Sequence, residues 1–300
     1  MFLQQLINGL TLGNVYALIA LGYTMVYGIL ELINFAHGEI YMLGAYLGII
    51  LLGFFTAIGL TAFSLPLSLF LVFALTIVFC ASYGLTIEKI AYKPLRNAQR
   101  LSPLISAIGV SIFLQNYVML TQGTSDKVFP SVIGNAGFEL FSTRVTYLQA
   151  SIIAVSSLIM VMLHLFVMKT KTGKAMRAVA QDKVMASLVG INIDRVISVT
   201  FIIGSGLAAV AGIMVAMYYG LVNYSIGYSA GIKAFTAAVL GGIGSIPGAM
   251  LGGIVLGLVE SFGASYISSE YKDAYAFVVL ILILLVKPEG LLGRRSEEKI

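Results

Sequence analysis

Charged side chains are scarce in this 300-residue sequence, at 10%, where a soluble domain carries about a quarter. So few charges cannot cover a water-facing exterior, which excludes an ordinary soluble domain. Cysteine is nearly absent too. The single Cys80 lies in an apolar run, so no disulfide framework forms within the chain, and the residue reads as a small packed hydrophobe. With two histidines and one cysteine there is no His/Cys metal cluster. A G-x-S-x-G elbow and a plausible catalytic triad are also missing, which removes most hydrolytic chemistry. No phosphate-binding loop of the form G-x-x-x-x-G-K-[ST] occurs. Anything moved uphill must therefore draw on an ion gradient or on another subunit. Residues 1–30 hold no Lys, Arg, Asp or Glu. A cleavable signal peptide begins with a positive segment, so the first apolar run is expected to be a retained span.

What is present is apolar: 59% hydrophobic residues and a mean hydropathy of +0.98. A membrane span needs about 20 mostly apolar residues. Segments 9–30, 38–57, 63–87, 102–121, 148–168, 196–219, 248–267 and 274–287 qualify, the last being short. The stretch 234–246 is apolar but too short for an ordinary span. The expected fold is an all-α, polytopic transmembrane helical bundle, one membrane domain over residues 1–300.

Basic residues give this bundle a direction. Fourteen of the 18 fall in residues 88–100 (Lys89, Lys93, Arg96, Arg100), residues 169–195 (Lys169, Lys171, Lys174, Arg177, Lys183, Arg195) and the tail (Lys287, Arg294, Arg295, Lys299). The positive-inside rule assigns all three to the cytoplasm. The positive net charge is thus a topology signal, and a nucleic-acid partner is not expected. An even number of crossings must separate Arg195 from Lys287. Three clear runs lie between them, so 234–246 must also cross, as a short or broken helix. Eight or nine crossings result. The N-terminus falls outside if 9–30 and 38–57 both cross, and inside if 31–38 is a re-entrant turn.

Several features stand out within this frame. Gly204, Ala208, Gly212 and Ala216 recur every fourth residue, as do Gly248 with Gly252 and Gly253 with Gly257. That spacing puts small residues on one helix face, where backbones approach closely. The stretch from Leu240 to Gly248 contains Gly241, Gly242 and Gly244 and carries Pro247. It reads as a tight cytoplasmic loop or as a helix break beside a pathway. Between two apolar runs lie Glu31, Asn34, His37 and Glu39, read either as a self-capped turn or as the mouth of a pathway. Their spacing matches no standard metal-ligand pattern. Ser111 and Gln115 share a helix face, and Glu260 sits in an apolar run. Each is an interhelical hydrogen-bonding group or a pathway-lining one. Glu260 reads as the only clearly intramembrane carboxylate, which weighs against an ion-coupled carrier. The central basic loop, from Lys174 to Val189, has helical periodicity: Ala175, Met176, Val179, Met185, Ala186 and Val189 are apolar; Lys174, Arg177, Gln181, Asp182 and Lys183 are polar. Gly190 is placed to end that helix. Such a helix lies on lipid, caps the bundle, or sits in a partner's groove.

Longer motifs point further. They are Thr11-Leu-Gly13, Gly22-Tyr-Thr-Met-Val-Tyr-Gly28, Ile33-Asn-Phe-Ala-His-Gly-Glu39, Leu104-Ile-Ser-Ala-Ile-Gly109, Ser111-Ile-Phe-Leu-Gln-Asn-Tyr117, the run Lys233 to Gly248, and Glu270-Tyr-Lys-Asp273. Together they make the chain resemble the inner-membrane permeases of bacterial ATP-binding-cassette importers for branched-chain amino acids. The resemblance is closest to the first permease of the high-affinity leucine/isoleucine/valine system and covers essentially the whole chain. The central loop is similar to the family's ATPase-contacting signature at Gly173, Arg177, Ala178, Asp182, Ala186, Gly190 and Ile191. The general importer loop begins Glu-Ala-Ala, whereas this chain reads Ala178-Val-Ala180 without that Glu. The resemblance implies a coupling loop within 169–195, whose core from Gly173 to Ile191 also takes in Val184, Ser187 and Leu188. It implies a transport subunit that is not an enzyme and binds no cofactor, with ATP and Mg used by two ATPase partners. A second homologous permease, a periplasmic amino-acid-binding protein and membrane lipid complete the expected surroundings. The expected location is the bacterial inner membrane, multi-pass, with a cytoplasmic C-terminus. Asn34, His37, Glu39, Ser111, Gln115, Gly241, Gly242 and Glu260 are the candidate pathway residues. The rival reading is an ion-coupled amino acid carrier, or a permease for related small substrates such as urea or amides.

Overall fold

The computed structural model describes residues 1–293 apart from Asn97, Arg100, Ser131, Ile133, Asn135, Phe141 and Ser142. Of the basic residues used above to orient the chain, Arg100, Arg294, Arg295 and Lys299 lie outside the described residues. In chain order the helices are α1 (Phe2–Leu30), α2 (His37–Ala57), α3 (Leu60–Phe63), α4 (Leu65–Ile87), α5 (Leu101–Gln122), α6 (Tyr147–Lys169), α7 (Lys171–Gln181), α8 (Lys183–Leu188), α9 (Ile193–Tyr219), α10 (Ile226–Gly241), α11 (Ile246–Tyr266) and α12 (Lys272–Val286). A π-helical turn, Glu88–Tyr92, and a 3-10 turn, Lys93–Leu95, extend α4. Two small antiparallel strand pairs join loops: β1 (Lys127–Val128) with β4 (Leu221–Val222), and β2 (Gly137–Leu140) with β3 (Thr143–Thr146). The chain is an all-α helical bundle. Seven of the described helices are long and apolar enough to cross a membrane.

Local chemistry sets the helix ends. Ser64, Thr146, Asn192 and Ser245 cap α4, α6, α9 and α11 with their side-chain oxygens, each accepting from a backbone N–H in the first turn. Pro66 and Pro247 sit in first turns, where their missing N–H costs nothing. Gly220, at φ 71°, closes α9.

The first helix is the axis of the fold: 89% of its most apolar window is buried, against 17% for α5. It packs antiparallel to α11 through small residues on both sides. A Cβ placed on Gly257 would meet Gly13 N at 2.3 Å, and one on Gly253 would meet Ala17 N at 2.4 Å. The small stripe of α9 does the same against α2: a Cβ on Gly212 would meet Tyr41 O at 2.2 Å, and one on Gly44 would meet Ala209 Cα at 2.8 Å. Gly252 lies against Ala237 of α10. The four-residue spacing seen in the sequence is therefore helix packing. Cys80 is fully buried, as its apolar run implied.

The helix expected at 234–246 is longer and shifted. Helix α10 starts at Ile226, ends at Gly241, and is joined to α11 by a turn in which Gly242 and Gly244 adopt positive φ. Hydropathy missed the first turns because Lys233 interrupts them, yet its ammonium is paired inside the bundle with Glu260 at 2.9 Å. Helices α10 and α12 have 16 and 15 residues. At about 1.5 Å per residue they fall short of a roughly 30 Å hydrocarbon core.

The tail seals the α10–α11 corner: Leu291 N donates to Leu240 O at 2.8 Å and Leu292 N to Gly241 O at 2.9 Å. The C-terminal end of α1 is at the same face, with Gly28 beside Gly244. The start of α1 lies at the opposite face, where Phe2 packs on Phe262. Residue 1 and the end of the described chain are thus on opposite faces of the bundle.

Candidate functional site

A buried polar junction forms where two helices begin inside the bundle. Helix α1 ends at Glu31, the one described non-glycine residue with positive φ, at 60°. Residues 32–36 then fold back along α1. His37 comes to rest on Gly22, where a Cβ would meet its Nε2 at 2.2 Å. Gly22 is eight residues before the end of α1, about 12 Å at 1.5 Å per residue. Helix α2 therefore starts well within the bundle. So does α10, because the first turns of the two helices touch: a Cβ on Gly38 would meet Gly227 O at 2.3 Å.

Polar groups gather at this meeting point. Asn34 Oδ1 accepts from Ala36 N at 3.1 Å and from the Tyr92 hydroxyl at 2.9 Å. Glu39 is 1% exposed; its Oε1 accepts from Ser111 Oγ at 3.1 Å, and its Oε2 lies against Gly227. Glu39 Oε2 and Asn34 Nδ2 are buried without a hydrogen-bond partner. Neither α2 nor α10 has a side-chain cap, so the Glu39 carboxylate offsets the positive ends of both helices.

Of the candidate pathway residues, the structure brings together Asn34, His37, Glu39 and Ser111, with Gln115 half-buried one turn beyond Ser111. Gly241 and Gly242 stand apart, in the α10–α11 corner against Gly248 and residues 289–293. Glu260, itself fully buried, belongs to a separate ion network. Its Oε1 faces Lys233 Nζ at 2.9 Å and Lys272 Nζ at 3.2 Å, and its Oε2 accepts from the Tyr16 hydroxyl at 2.8 Å. Lys233 also pairs with Asp273 at 2.6 Å. Glu260 is not the only carboxylate enclosed by the helices. Glu39 and Glu88 are enclosed too, Glu39 because residues 32–36 carry it inward. Among the described residues no three His, Cys, Asp or Glu side chains could hold a metal ion.

The central basic loop is two helices, where the pattern promised one. Asp182 adopts an extended backbone, ends α7, and caps α8 by accepting from Met185 N at 3.0 Å. A side chain able to cap a new helix competes with continuing the old one. Helix α7 is anchored: Gly173, Met176 and Val179 are buried, and a Cβ on Gly173 would meet Val167 O at 2.3 Å. Arg177 donates to the Met168 carbonyl at the end of α6. Helix α8 projects. Val184, Met185, Leu188 and Val189 are each at least 61% exposed. Gly190, at φ 84°, stops it, with Ile191 N donating to Ala186 O at 3.0 Å. This is a Schellman-type end.

Sequence reading missed an ion cluster beside this loop. Glu88, fully buried, accepts from Arg96 at 2.9 Å and from Ser198 Oγ at 3.0 Å. Arg96 also pairs with Asp194 in the first turn of α9, and Lys93 reaches Asp194 at 2.8 Å. The only signal was a carboxylate, Glu88, at the edge of an apolar run with basic residues just after it.

Comparison with known proteins gives these features a context. The family described as branched-chain amino acid transport system / permease component matches residues 5–284. The chain is 52% identical to the high-affinity branched-chain amino acid transport system permease protein LivH of Escherichia coli, over all of this chain and 98% of that protein. Identity and coverage are the same with the corresponding BraD protein of Pseudomonas aeruginosa. With LivM of E. coli, a permease protein of the same named system, it is 24% identical over 94% of this chain and 68% of that protein. No solved structure matches. A match over nearly the full length, at this level of identity, shows that the chain belongs to the branched-chain amino acid transport system permease family.

Proposed function

We propose that this chain is one of two homologous permeases in an ATP-binding-cassette importer, and that it forms half of the pathway for branched-chain amino acids. The observation that carries this reading is the full-length 52% identity to high-affinity branched-chain permeases. The more distant likeness to LivM supports a second permease of the same fold as partner. In this reading the chain is a transport subunit without its own ATPase site. Two partner ATPases use ATP and Mg, and a periplasmic binding protein delivers substrate. The basic segments and the C-terminus face the cytoplasm of a bacterial inner membrane.

The loop from Gly173 to Ile191 is the docking element for an ATPase. The exposed apolar side chains of α8, held out on a capped and anchored support, fit an apolar groove in a water-soluble partner. The polar junction at Asn34, His37, Glu39 and Ser111 is the part of the pathway nearest the bundle axis, with Gln115 at its margin. Two uncapped helix starts and a carboxylate offer both signs of charge to a zwitterion. Glu260, held by Lys233, Lys272 and Tyr16, is a structural anchor in this reading. That removes one argument for an ion-coupled carrier.

Reconstitution tests the proposal. The tagged chain, purified from its native membrane, is expected to bring down two ATPases and a second permease. In vesicles that complex is expected to import leucine only with ATP inside the ATPase-bearing compartment and binding protein on the other side. Gradient-driven leucine flux by the purified chain alone would favour the carrier and overturn the importer reading. Leu188→Glu is expected to reduce ATPase recovery at least about tenfold, since a buried charge in an apolar groove is costly.

A further inference from the structure

One short turn touches both the docking loop's support and the polar junction, which lie at different depths in the bundle. It is the π-helical turn Glu88–Tyr92. On one side Glu88 is bonded to Ser198 and, through Arg96, to Asp194, both near the start of α9. Helix α9 follows α8 after only the residues 189–192. On the other side the Tyr92 hydroxyl donates to Asn34 Oδ1 at 2.9 Å. That same oxygen accepts from the backbone N–H of Ala36, the residue just before α2. Tyr92 is 3% exposed and its ring packs on Phe201, one turn after Ser198. A third bond ties the turn to α5, Ser106 Oγ donating to Ala91 O at 3.0 Å. Helix α5 also supplies Ser111 to Glu39.

A turn with π geometry holds one residue more than the α-helical ladder takes, and such insertions recur at functional sites. They are places where a helix changes register at low cost. A rigid α-helix would hold both sets of contacts at a fixed spacing. A π turn lets one set move relative to the other.

We propose that the Glu88–Tyr92 turn transmits displacement of the docking loop to the polar junction, with Glu88 and Tyr92 as positioning residues for transport. The proposal rests on the importer reading above. A shift of the start of α9 moves Ser198 and Asp194, and these pull on Glu88 and Arg96. The turn responds as a unit, and the Tyr92 hydroxyl carries the shift to Asn34 and so to the start of α2. Contiguous hydrogen-bonded groups of this kind give two sites a shared element to bias.

The test uses the full complex in vesicles, with binding protein and ATP, and reads leucine imported per ATP hydrolysed. Wild-type complex that shows no ATP-dependent import sinks the importer reading itself, before any variant is considered. Given import, Tyr92→Phe keeps the ring against Phe201 but loses the bond to Asn34. It is expected to lower leucine per ATP by roughly five- to tenfold. Ser198→Ala is expected to lower the same ratio, by a smaller factor. Tyr92→Phe combined with Asn34→Ala is expected to be no worse than Asn34→Ala alone, since both act through one bond. An unchanged ratio in Tyr92→Phe overturns the proposal. So does import falling in strict proportion to ATP hydrolysis, the mark of fewer intact complexes. If Tyr92→Phe fails to assemble, Ser198→Ala decides, and an unchanged ratio there overturns it.

Discussion

Gly257 has no room for a methyl group, because the backbone of Gly13 already occupies the space at 2.3 Å. Gly257→Ala must push α1 and α11 apart. It is expected to cost about 1–3 kcal/mol, typical of overpacking, and to appear as a lower midpoint for thermal unfolding in detergent. Gly53, on the same kind of apolar helix, has nothing within 4 Å of a Cβ. Gly53→Ala is expected to stay within about 1 kcal/mol of the parent. Glu260 gives the electrostatic counterpart. Glu260→Ala leaves Lys233 buried with the exposed Asp273 as its remaining ion-pair partner. Breaking a buried pair from one side costs about 3–5 kcal/mol, so membrane abundance of this variant should collapse. Pairing Glu260→Leu with Lys233→Met is expected to recover much of that loss.

Helices α7 and α8 divide their labour. One buries Met176 and Val179 and fixes the loop; the other leaves Val184, Met185, Leu188 and Val189 exposed. Asp182 is the joint. Asp182→Ala removes a cap worth about 1 kcal/mol and lets the two helices merge in the way their periodicity favours. That variant is expected to keep the bundle's unfolding midpoint while protease cleavage around residue 190 changes severalfold. Much of this element level was legible beforehand. Most span boundaries needed adjusting by only a few residues, because long apolar runs in a membrane have one outcome, and the fourth-residue glycines announced close packing. Depth was not legible. The polarity around Asn34, His37 and Glu39 marked a special segment, but no periodicity says how far a turn re-enters. Lys233 hid the start of α10, since hydropathy scores its charge without knowing that Glu260 answers it. The Asp182 break escaped because capping is decided by one side chain, against a helical pattern carried by a dozen. The bonds of Glu88 and Tyr92 were invisible for another reason: their partners, Ser198 and Asn34, are 110 and 58 residues away.

At the scale of the whole molecule, Met1 and Gly293, the ends of the described chain, lie on opposite faces. Single cysteines introduced into a Cys80→Ala background test this directly. With the basic loops inside, a thiol at position 181 is expected to react with a membrane-impermeant reagent only from the cytoplasmic side. Thiols at positions 2 and 127 are expected to react only from the other side. Labelling at position 2 from the cytoplasm would contradict the antiparallel packing of α1 on α11.

The enclosure of α1 bears on how the protein comes to be made. Among the described spans, the helix with the least surface for lipid is made well before the helices that cover it. Its main neighbours, α9 and α11, begin at Ile193 and Ile246. At about 5–20 residues per second, α1 waits roughly 10–50 s for α11. During that interval its glycine-lined grooves face lipid or the insertion machinery, and only completion of the last third of the chain gives them a permanent neighbour. Premature termination anywhere before Ile246 should therefore leave a first helix that is inserted but orphaned, and prone to removal by membrane proteases.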